Sequence, residues 1–212
     1  MERWTFGEAP LPAVVELAAV VRDLTSTVLS LERTSPELEE LTGILRNALA
    51  RIARAVPADP APRVGAHPTD DQRVYVDHSR DIGDYNPCFP RYEFAVDVDG
   101  TSGRGTVEFP VCYEGPPGIV HGGFLAVFFD CVLQELNCAL GLAGKTAELS
   151  IRYRRPTPLL TPLTYHAERV VDDRRITAHA ELFLGDDLLC EAHLLAAKGE
   201  HAALPTVSAR RP

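Results

Sequence analysis

From Pro10 to about Glu32, apolar residues fall at Leu17, Val21, Leu24, Val28 and Leu31, and this alternation of four- and three-residue steps predicts a helix with one apolar stripe. A second helix is predicted directly after it. Ser35 suits the cap, Pro36 the first helical position and Glu37 the positive end of the helix dipole, while Leu38, Leu41, Leu45, Ala48 and Ile52 make the stripe. The short ERTSP connection predicts an antiparallel helical hairpin, residues 1–56, too small to be stable unless it packs on something else. Residues 57–73 are rich in proline and polar residues and read as an extended linker. From residue 74 to 200 the pattern changes. YEFAVDVDG and RGTVEFPVCY are strand-like runs around a DGTSG turn, followed by one long apolar helix, GIVHGGFLAVFFDCVLQELNCALGL, that ends in glycine. Four further strands follow, TAELSIRYRRP, LTYHAERVV, RITAHAELFL and LLCEAHLLAAKG. A helix apolar on nearly every face has to be covered, so the expected class is α+β, with one curved antiparallel sheet wrapped around the long central helix. The tail, 201–212, reads as disordered.

Composition narrows the classes of partner. The 212 residues are 45% hydrophobic and 24% charged, an ordinary globular balance, and the formal net charge is -9. That charge argues against a nucleic-acid partner, which is usually met through a basic footprint. The N-terminus lacks a basic start followed by an apolar stretch, and no apolar run is long enough to span a bilayer, so membrane insertion is not expected and a cytoplasmic location is. Cys88, Cys112, Cys131, Cys138 and Cys190 show neither a CxxC pair nor metal-ligand spacing with histidine. Reduced thiols and no metal are expected.

The chemistry concentrates in GPPGIVHGGFLAVFFD, residues 115–130. A glycine-rich turn feeding a helix leaves its first N–H groups unpaired beside the positive end of the dipole, an arrangement that can hold the oxygen of a polarised carbonyl. Gly122 and Gly123 allow close approach to the backbone, and His121 can hold the turn through a local hydrogen bond. Asp130 lies within an otherwise apolar helix, with Gln134 at i+4 and Asn137 at i+7 extending a polar stripe. A buried carboxylate is costly unless paired or used, and it can serve as a general base toward water or as a nucleophile.

These residues, with TAELSIRYRRPTP after them, resemble the hotdog-fold acyl-CoA thioesterases, in particular the phenylacetate-pathway and THEM-type branch. The resemblance covers about residues 84–199. It implies a hotdog fold, hydrolysis of an acyl-CoA without a cofactor, and a homodimer or dimer of dimers whose site takes the turn from one subunit and the carboxylate from the other. It further implies that Asp130 is the catalytic carboxylate, that the Gly122 amide polarises the thioester carbonyl, that His121 orients the turn, and that Thr146 orients the attacking water. Many relatives carry asparagine six residues before the motif histidine, where this chain has Gly115. Arg152, Arg154 and Arg155 are candidates to hold the CoA phosphates, with Gly123 and Gln134 as further substrate contacts.

Two other functions compete. A non-catalytic acyl-CoA or lipid-binding protein could keep the same fold as a pocket. An enoyl-CoA hydratase is suggested by GDYNP at 83–87, but Cys88 and Phe89 follow it where a histidine would be needed.

Overall fold

The computed structural model describes residues 6–7, 10–55, 65–67, 70–76, 81–139 and 142–200. In chain order the elements are β1 (Phe6–Gly7), α1 (Pro12–Leu29), α2 (Pro36–Ile52), β2 (Gly65–His67), β3 (Asp70–Val76), α3 (Ile82–Tyr85), β4 (Tyr92–Val96), β5 (Ser102–Val107), α4 (Gly122–Cys138), β6 (Leu142–Tyr153), β7 (Leu163–Val171), β8 (Arg175–Leu184) and β9 (Asp187–Glu200). Six strands form one antiparallel sheet in the order β4-β5-β7-β8-β9-β6. Helix α4 lies on it, and the two together make the expected hotdog fold.

Alternation explains the sheet. Leu163, Tyr165, Ala167 and Arg169 of β7 and Ile176, Ala178, Ala180 and Leu182 of β8 point inward, while the residues between them stay at least partly exposed. Against this face α4 buries Leu125, Phe128, Phe129, Val132, Leu133 and Leu136. The opposite side of α4, including Ala126, Val127, Asp130 and Gln134, remains half-exposed, so the helix is covered on one side and not all round. Asn137, expected on the polar stripe, is fully buried in the core instead. The glycine expected to end the helix falls at residue 141, outside the described residues. Buried Arg169 donates from Nη1 to the carbonyls of Leu136 and Asn137 at 2.6 and 2.7 Å, satisfying the last turn in the place where a positive charge suits the helix dipole.

Both N-terminal helices are present, but the faces differ from expectation. The stripe predicted on α1 points outward, with Leu17 and Val28 54% and 43% exposed. The side that docks carries Val14, Val15, Ala18, Arg22 and Ser26, of which Ala18 and Ser26 are small enough to permit close approach. Arg22 is buried without a carboxylate partner among the described residues. Its Nε donates to Tyr113 Oη at 3.2 Å, and its Nη2 reaches the carbonyls of Gly83, Asn86 and Phe89. Hydropathy spacing cannot reveal such a face, because the residue that anchors it is charged. The GDYNP segment is thereby accounted for as the acceptor side of this joint. No residue of α2 is buried.

The stretch expected to be a linker, 57–73, carries β2 and most of β3, which pair antiparallel, and β1 joins β3 in parallel. Strands this short in a proline-rich context carry no readable alternation. Residues 56–64 and the tail from 201 lie outside the described residues. Among the described residues no helix is long and apolar enough to cross a membrane.

Replacing Arg22 by Ala removes a buried donor from the carbonyls of Gly83, Asn86 and Phe89 and from the Tyr113 hydroxyl, of which Phe89 O keeps Tyr113 Oη and Asn86 O keeps Phe89 N. The expected cost is about 2–4 kcal/mol, measured as a lower denaturant midpoint with the sheet signal retained in circular dichroism.

Candidate active site

The turn before α4 is built by short-range contacts. Gly115 N donates to Ile119 O at 2.8 Å, His121 N donates to Tyr113 O at 2.9 Å, and the Tyr113 ring meets Phe124 edge-on with centroids 4.9 Å apart. A Cβ at Gly115 would stand 2.8 Å from His121 Cα, so the asparagine of many relatives does not fit this turn without moving its backbone. His121 adopts an extended conformation, φ -66° and ψ 132°, and its Nδ1 accepts from Gly123 N at 3.0 Å. Gly123 is therefore engaged in the turn, and its lack of a Cβ admits the His121 ring. The Gly122 amide, by contrast, has no partner among the described residues, while its carbonyl accepts from Tyr153 Oη at 2.8 Å.

Gly122 borders a cavity of about 410 Å³, a size suited to part of a small-molecule ligand. Ile119, Val120 and Leu125 give it apolar walls, Tyr153 flanks the Gly122 side, and Arg154 and Arg155 line it as well. Buried Thr157 also lines it. Tyr153 was not anticipated as a site residue. It lies in the YRRP run, but only the sheet brings the end of β6 beside the start of α4.

A little over two turns further along α4 is the carboxylate. Thr146, on β6, donates to Asp130 Oδ1 at 2.7 Å and accepts from Gln134 Nε2 at 2.6 Å. The hydroxyl proton of Thr146 is thus committed to Asp130, and Gln134 fixes Thr146 and is not among the residues lining the Gly122 cavity. Gly122 and Asp130 are eight residues apart on one helix, about 12 Å at 1.5 Å per residue. That separation is too long for a single carbonyl group to contact both directly.

The three arginines are all paired within the chain. Arg154 and Arg152 contact Glu191 at 2.8 and 3.6 Å, and Arg155 contacts Asp187 at 3.2 Å. Arg152 is not among the cavity-lining residues, so the candidate phosphate contacts reduce to Arg154 and Arg155. On the outer face of the sheet, His179 stacks on His193 with centroids 4.3 Å apart, a proximity that strand register creates and sequence spacing conceals. Ligand atoms of His179, Glu181 and Glu191 come within 4.8 Å of one another there, although Glu191 is already held by the arginines.

A crystal structure described as a thioesterase superfamily protein is similar over 90% of this chain and 98% of its own, with 32% sequence identity and a TM-score of 0.72. This chain belongs to the thioesterase superfamily. Mouse (Mus musculus) acyl-coenzyme A thioesterase THEM4 is 36% identical over 55 residues, which is 26% of this thioesterase-superfamily chain and 24% of that curated relative. The phenylacetic acid degradation-related protein of Ralstonia eutropha JMP134 is similar over 50% of this chain and 83% of its own, at 22% identity and a TM-score of 0.46. No family model matches the chain.

Two outcomes follow from the packing of this region. Gly115→Asn is expected to destabilise the protein by about 1–3 kcal/mol through overpacking, read as a lower melting temperature. Arg154 beside Glu191 holds that carboxyl below its ordinary range. A carboxyl with a depressed folded pKa stabilises above its unfolded pKa and loses that contribution as pH falls through the folded value. The stability difference between wild type and Glu191→Gln should therefore be present at neutral pH and shrink below about pH 4, as denaturant titrations at both pH values will record.

Proposed function

We propose that this protein is an acyl-CoA thioesterase that works as a homodimer, each site combining the Gly122 amide of one copy with Asp130 of a second. The observation that carries the proposal is the division of labour along α4: an unpaired amide beside a cavity at its start, and a half-exposed carboxylate pinned by Thr146 and Gln134 further on. Their separation supports a reaction shared between two copies. The half-exposed side of α4 and the free outer edge of β6 are the surfaces that a second copy would cover, since a long edge strand with unpaired N–H and C=O groups invites pairing.

The thioester carbonyl oxygen accepts from Gly122 N–H. A water oxygen attacks the carbonyl carbon while Asp130 takes the water proton, and negative charge gathers on the oxygen facing the amide. The carbon–sulfur bond then breaks, leaving a free acid and CoA thiolate, which recovers the proton from Asp130. Thr146 occupies Oδ1 and so directs Oδ2 to the water, which favours the general-base route over direct attack by the carboxylate. His121 keeps the turn open. Arg155 can exchange its exposed Asp187 partner for a CoA phosphate, because exposed ion pairs contribute little by themselves, whereas Arg154 stays with buried Glu191 and offers its remaining N–H groups. The reaction as proposed needs no metal or cofactor.

Asp130→Asn should lower kcat by about 10²–10⁴-fold in a thiol-release assay over short, long and aromatic acyl-CoAs, with ligand binding and folding retained. A wild type that binds acyl-CoA but releases no thiol from any of them would establish a binding protein instead. Gly122→Pro is a sharper probe of the amide. Proline is favoured at the first helical position, and the extended His121 is compatible with a following proline, so the variant removes the N–H while keeping the helix; because any Cβ here stands 3.1 Å from the Tyr153 ring, Gly122→Ala, which adds the Cβ and keeps the N–H, is the reference. A kcat loss of about 10²–10³-fold is expected.

A further inference from the structure

Helix α2 is the element that the rest of the chain explains least. Its wide apolar face keeps Ile44, Leu45, Leu49 and Ile52 between 40% and 65% exposed, although soluble proteins rarely leave such a face uncovered. Its charges are divided by position. Glu37, Glu39 and Glu40 occupy the first turns, and Arg46, Arg51 and Arg54 the second half and the 3₁₀ turn that follows.

We propose that α2 is an association surface whose partner is α2 of a second copy, paired antiparallel around a two-fold axis near Leu45 and Arg46. Glu40 and Arg51 share their midpoint with Glu37 and Arg54, and it lies between Leu45 and Arg46. Antiparallel self-pairing about that point therefore sets Glu40 against Arg51, two positions that lie on the same flank of the helix at 100° per residue, while Glu37 and Arg54 match in height only. It also places Leu49 near Leu41, and Ile52 near Leu38. Parallel pairing would oppose like charges. A lipid surface is disfavoured because the helix and the turn after it offset their basic side chains with acidic ones and lack the cationic rim of interfacial helices. The proposal is independent of the reaction assigned above.

The test is zero-length carbodiimide coupling of the full chain carrying Arg51→Lys, prepared as a mixture of ¹⁵N-labelled and unlabelled protein. Within one helix, Glu40 and position 51 are about 16 Å apart, beyond the reach of a zero-length link, so a link between them must join two chains. The expected result is that linked peptide in mixed-isotope form, and its loss together with a lower sedimenting mass when Leu45→Glu and Leu49→Glu are added. Both leucines are exposed, and an unchanged melting temperature will verify that this variant is folded. Absence of a mixed-isotope link between Glu40 and position 51, or a link that survives both leucine substitutions, would overturn the proposal.

Discussion

The structure depends on how α4 is seated. Phe128, Phe129, Val132, Leu133 and Leu136 are fully buried against the sheet, and this packing fixes the rotation of the helix. With that rotation set, Asp130 and Gln134 must lie on the open side, within reach of Thr146 on β6. The same helix delivers Gly122 at its start, where no preceding turn supplies an acceptor for its N–H. A rigid helix therefore imposes both the chemistry of its two polar points and the distance between them.

The beginning of α4 is held from several directions. Tyr113 accepts the His121 amide through its backbone, packs its ring on Phe124, and receives a hydrogen bond from Arg22 on its hydroxyl. Burial pushes that phenol up to about 12, so it remains a neutral donor, to Phe89 O at 2.7 Å, across the working range of a protein. Helix α1 is thus more than an appendage. It braces the segment from which the amide-bearing turn is folded, and that brace relies on a buried arginine where a stripe of leucine and valine was expected.

The sheet and α4 were legible because alternation along β7 and β8 and the long apolar run of α4 are direct records of burial. The HGG turn and Asp130 were legible through their spacing. What sequence could not convey was the sharing of partners: Gln134 and Thr146 are twelve residues apart and meet only because β6 lies beside α4. Asn137 was misplaced and Arg22 passed unnoticed for a related reason, since periodicity assigns polar residues to the outside and both are buried. Tyr153, likewise, acquires its contact with Gly122 from the fold alone.

The central claim is that one reaction uses the turn of one copy and the carboxylate of another. It is tested most directly by complementation, in which Gly122→Pro and Asp130→Asn proteins are unfolded together, refolded and assayed for thioester hydrolysis. A mixed dimer contains one intact composite site and one doubly altered site, so random assortment should restore about a quarter of the wild-type rate from two nearly inactive parents. Mixed dimers demonstrated by mass spectrometry but no more active than either parent would contradict the account, because each chain would then have to carry its own complete site.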